Sequence, residues 1–69
     1  MQIVLNGDSV ETADACTVES LLQQLGISRD RVAVELNADI VPKADYGKRL
    51  LSDGDKIEIV HFVGGGSQV

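Results

Sequence analysis

Apolar and polar positions switch from a period of two to a helical period and back along this chain, and each switch marks an element. Residues Gln2–Asn6 read as a strand with Ile3 and Leu5 on one face. Asn6-Gly7-Asp8 follows, a strong hairpin signal because a tight primed turn needs positive φ, which Asn and Gly tolerate. Ser9–Thr12 then forms the short returning strand, with Val10 inward. Val18, Leu21, Leu22 and Leu25 fall at i, i+3, i+4 and i+7, opposite Glu19, Ser20, Gln23 and Gln24, which predicts a one-sided helix. Thr17 is its N-cap and Gly26 its stop, whereas Ser20 stands where a capping box needs Glu or Gln.

Alternation returns at residues 32–37, where Val32, Val34 and Leu36 face a core and Ala33, Glu35 and Asn37 face water. Ile40-Val41 before Pro42 is expected to be a brief edge strand, since proline cannot donate to a ladder. Lys43–Lys48 is a loop or a single helical turn, and Leu50-Leu51 begins another short strand. Asp53-Gly54-Asp55 makes a second hairpin-type turn before the final strand, Lys56–Val63. The order is hairpin, helix, then strands: an α+β domain in which one main helix crosses one face of a mixed sheet of four to five strands. A right-handed crossover from the hairpin to a parallel strand gives the ubiquitin-like β-grasp layout. The domain is expected over residues 1–63, with 64–69 a flexible glycine-rich tail.

Size and charge narrow the function. A chain of 69 residues buries only about 60% of its unfolded surface, which leaves little volume to wall off an active site. Its formal charge is −5, and residues 1–28 supply −4 of it through Asp8, Glu11, Asp14 and Glu19, with no Lys or Arg. Nucleic acid and anionic membranes, which need basic patches, are excluded as partners, and a basic protein surface would be attracted. A single cysteine rules out an internal disulfide, and no basic signal segment or long apolar run is present. The expected compartment is the cytoplasm.

No catalytic or metal-binding constellation emerges. His61 lies in a strand without a nucleophile at a meaningful spacing, and reads as a half-exposed strand residue. Cys16 precedes the helix, either as an activated thiolate or, as favoured here, a small buried hydrophobe. Asp53 and Asp55 flank a turn glycine and are expected to serve the turn. Two features resist such plain readings. With Ile57 and Ile59 inward, the other face of the last strand ends in Val60 and Phe62, two apolar side chains set in water as a partner-docking patch. Gly64-Gly65-Gly66 follows at once; by itself the run reads as a flexible linker, but an extended glycine run also threads a channel too narrow for any side chain.

These residues bring a family into view. QIVLNG, TVESLLQQLGI, VAVELNADIVPKADY and above all DGDKIEIVHFVGGG resemble, over residues 1–66, the ThiS family of sulfur carriers in thiamine biosynthesis. The resemblance implies that Gly66 is the attachment point for adenylate and thiocarboxylate, with Gly64 and Gly65 threading into a partner's active site. It implies a ubiquitin-activating-type adenylyltransferase using ATP and magnesium, a sulfur donor such as a cysteine desulfurase, and thiazole synthase as partners. The carrier itself binds no cofactor and catalyses nothing. Related readings are a carrier for molybdopterin or cysteine synthesis, a ubiquitin-like protein modifier, or an interaction domain with an inert tail. One departure stands out: Ser67-Gln68-Val69 follow Gly66 and would block its carboxylate. They are removed by a processing peptidase, or were added in cloning, or mark a lost or altered carrier role; removal is the expectation carried forward.

Overall fold

The computed structural model describes residues 1–62. Strands β1 (Gln2–Leu5) and β2 (Asp8–Glu11) form the expected hairpin, with Leu5 opposite Asp8 and both Asn6 (φ 48°) and Gly7 (φ 89°) in the left-handed region. That geometry matches the right-handed twist of the paired strands. Helix α1 (Val18–Leu25) starts at Thr17, whose Oγ1 accepts from the Ser20 amide at 3.1 Å. It ends at Gly26 (φ 71°), where Gly26 N donates to Gln23 O and Ile27 N to Leu22 O, so the last carbonyls are satisfied.

After a 3₁₀ turn at Arg29–Arg31, β3 (Val32–Leu36) pairs antiparallel with β4 (Asp39–Val41) through a two-residue turn at Asn37 and Ala38. A second 3₁₀ turn at Lys43–Asp45 precedes β5 (Lys56–His61). The sheet order is β2-β1-β5-β3-β4, with β1 and β5 parallel and the remaining neighbours antiparallel. This five-stranded mixed sheet with one helix is the ubiquitin-like β-grasp arrangement.

One face of the sheet carries the core. Ile3, Val32, Val34, Leu36, Val41, Ile57 and Ile59 meet Val18, Leu21 and Leu22 of α1, and all are buried. The alternation in β3 and β5 is therefore what points one side of each strand at the helix. Two expectations need correction. Leu50 and Leu51 begin no strand: Leu50 makes one isolated bridge to Thr17 and is exposed, while Leu51 alone turns into the core. Asp53-Gly54-Asp55 consequently joins no hairpin, and its turn instead leads from that irregular segment into β5. The polar stretch 43–48 also hides a core residue. Tyr46 is buried, its hydroxyl 3.4 Å from Val32 O and the Arg29 guanidinium 5.5 Å from its ring centre.

Leu22→Ala is expected to cost about 2–5 kcal/mol, because it opens a cavity between α1 and the sheet. Thr17→Ala, which removes only the cap, is expected to cost about 1 kcal/mol. Urea denaturation of the two variants checks both values.

Candidate functional site

With α1 covering one face, the outward residues of β5 fall on the other. Val60 is 56% exposed and Phe62 54%, as their alternation with Ile57 and Ile59 predicts. Phe62 is held in place although it lies beyond the strand, because its amide donates to Arg31 O at 2.9 Å and continues the β3–β5 ladder by one bond. Lys43 lies over the Phe62 ring at 5.6 Å, a distance at which the ring quadrupole attracts a cation. Lys43 is itself tied down, its Nζ donating to Asp30 O at 3.4 Å and its carbonyl accepting from Arg29 Nη2 at 2.6 Å. The end of β5 therefore presents an aromatic ring beside basic residues, in a chain whose first 28 positions hold only acidic charges.

The sequence pattern missed a third apolar member of this face. Ile40 on β4 is 64% exposed, and it stands directly across from Glu35 while its neighbour Val41 turns inward. A run of three residues before a proline is too short to show which side faces out, so only the register of β3 with β4 settles it.

The polar candidates have structural duties. Asp53 Oδ1 accepts from the Gln2 amide at 2.8 Å, and Asp55 accepts from the Ser52 amide at 2.7 Å and from Asn37 Nδ2 at 3.1 Å. Cys16 is buried, and desolvation pushes its thiol above the ordinary range, the reverse of what a thiolate nucleophile needs. His61 is exposed, opposite Val32 in the ladder. Among the described residues there is no cluster of three or more side chains able to hold a metal, and no helix is long and apolar enough to cross a membrane. Gly64, Gly65 and Gly66, expected to thread and react, lie outside the described residues, as do Ser67-Gln68-Val69.

The ThiS family model matches residues 3–66, nearly the whole chain. This chain belongs to the ThiS family. Among its relatives is the sulfur carrier protein ThiS of Bacillus subtilis, 44% identical over 63 residues, covering 90% of this chain and 96% of that one. A thiazole synthase of Paramagnetospirillum magneticum is 49% identical over 67 residues, which make up 97% of this chain and 21% of that protein. The chain thus spans about a fifth of that relative's length. The crystal structure of the thiamine biosynthesis protein ThiS from Geobacter metallireducens superimposes with a TM-score of 0.82 at 30% identity, over 96% of this chain and all of that one. ThiS-family membership and the one-helix, five-strand fold agree with the reading of the sequence.

Three outcomes follow from the side-chain placements. Phe62→Asp is expected to leave stability within about 0.5 kcal/mol of the parent, whereas Ile59→Asp, which buries a charge under α1, is expected to prevent folding. Cys16 is expected to alkylate with iodoacetamide at neutral pH at least about tenfold more slowly in the folded chain than in urea, read by intact mass.

Proposed function

We propose that this chain is a non-catalytic sulfur carrier for the thiazole ring of thiamine. The observation that carries the reading is family membership at full domain length: the match runs from Ile3 to Gly66 and ends on the glycine whose carboxylate the chemistry requires. The Bacillus subtilis relative, nearly the same length as the matched region, is named as a sulfur carrier. The shape suits the task. A folded head offers Val60, Phe62 and Ile40 for docking, and β5 leads from them straight into the glycine run.

The chemistry needs no pocket in the carrier. A free carboxylate is a poor electrophile. An adenylyltransferase of the ubiquitin-activating type lets the Gly66 carboxylate oxygen attack the α-phosphorus of magnesium-bound ATP, and pyrophosphate leaves. The terminal sulfur of a persulfide on a donor such as a cysteine desulfurase then attacks the acyl carbon and AMP leaves, giving an acyl disulfide. A second thiol cleaves its S–S bond, departing as a disulfide with the donor sulfur and releasing the thiocarboxylate. The resulting thiocarboxylate is the nucleophile that passes sulfur to thiazole synthase. That partner is supported by the Paramagnetospirillum magneticum relative, named thiazole synthase, which contains a segment matching this chain. Gly64 and Gly65 give the tail a cross-section that fits a narrow channel. A peptidase first removes Ser67-Gln68-Val69 to free Gly66. The cytoplasm is the setting we assign, in keeping with a buried Cys16 that has no disulfide partner.

Incubating a chain ending at Gly66 with ATP, the adenylyltransferase, a persulfide donor and a thiol reductant is expected to raise its mass by about 16 Da, sulfur replacing oxygen. Deleting Gly65 and Gly66 is expected to abolish that gain. A deletion variant that still gains the mass would overturn the assignment of Gly66. Sustained thiazole formation by a chain whose last three residues stay intact would overturn the processing step.

A further inference from the structure

The open face of the sheet is also indented. A concavity of about 700 Å3 lies there, lined along β5 by Val60, Glu58 and Lys56 and along β3 by Glu35, and floored in part by the small residues Ala38 and Gly54. It has room for a long side chain rather than one water. The register makes its chemistry unusual. Glu35 stands directly opposite Glu58 in the β3–β5 ladder, and Ile40 stands directly opposite Glu35 in the β3–β4 ladder. Two carboxylates thus face each other across adjacent strands, a placement that destabilises a sheet unless something lies between them. Among the described residues neither makes an ion pair. Lys56, two positions along β5 on the same face, lines the cleft too but makes no ion pair with either.

We infer that this cleft receives an arginine or lysine side chain of the protein that docks on the open face, held between Glu35 and Glu58. The inference rests on the carrier reading above, and the docked protein to which it commits is thiazole synthase. A guanidinium suits the place because its planar fork donates to two carboxylates at once. Val60, the next outward position on β5, supplies apolar contact beside the cation. The cleft also orients its guest. A cation goes over the carboxylates, and Lys56 further along leaves a place for an acceptor. Charge disfavours other occupants: a second copy docked face to face would bring the same two carboxylates, and nucleic acid would bring phosphates.

The test is calorimetric titration of the full chain into purified thiazole synthase at low and at high salt. The parent chain is expected to bind more weakly as salt rises. The double variant E35Q/E58Q, which keeps shape and hydrogen-bonding capacity, is expected to lose at least about tenfold in affinity at low salt and most of the salt dependence. The same variant is expected to unfold at an equal or higher urea concentration than the parent, since it loses a repulsion, and this separates a docking role from a folding one. Parent-like binding by E35Q/E58Q, with Val60→Asp abolishing binding, overturns the cleft and leaves the carrier reading in place. Failure of the parent chain to bind the synthase at all overturns both.

Discussion

The parallel seam between β1 and β5 joins the two ends of the chain, and every other pairing depends on it. The seam is short. Its ladder register covers only Val4 with Lys56 and Leu5 with Ile57, closed by bonds of 2.9 Å from Val4 N to Asp55 O and from Asn6 N to Ile57 O. Asn6 extends it with its side chain: Oδ1 accepts from the Ile59 amide at 2.8 Å, and Nδ2 reaches Ile59 O at 3.3 Å. One residue thereby turns the first hairpin and imitates another step of backbone pairing on the central strand. Because β5 is fixed between β1 and β3, Ile57 and Ile59 face α1, and Val60 and Phe62 have no choice but the other side.

A sheet covered on one side divides the labour of its residues. The α1 side holds the buried aliphatic core, and its alternation is obligatory because a slip of one residue would expose all of it. The uncovered side is free of that constraint, and it carries apolar and like-charged residues that packing within the domain does not require. Exposed Val60, Phe62 and Ile40, with Glu35 facing Glu58, are of this kind. A domain of this size has no stability to spare on a second buried face.

Residue pattern alone reached the strands, the helix and both of its caps, because each rests on local rules: alternation in β3 and β5, the i, i+3, i+4 spacing of Val18, Leu21 and Leu22, the Asn6-Gly7 turn. Val60 and Phe62 were legible for the same reason, since facing follows from period two. What stayed hidden depends on which strands become neighbours. Glu35 and Glu58 are 23 positions apart, and only the β3–β5 register sets them face to face. Tyr46 in a polar stretch gives no periodic sign of burial, and Leu50-Leu51 has strand-like composition but no partner strand within reach beyond one bridge to Thr17. The Asn37-Ala38 turn was equally silent, since alanine seldom takes the φ of 74° found at Ala38.

The central place of β5 has a mechanical consequence. The chain leaves the domain from the middle strand of five rather than from an edge. Tension applied through the C-terminus is met on one side by β1, which runs parallel, and on the other by β3. When the opposing pull acts on the N-terminus, the parallel seam is loaded in shear, so its bonds share the force together instead of opening one after another. An edge strand would peel away under the same load. A domain pulled by its C-terminal end is in this way anchored where its sheet resists extraction most.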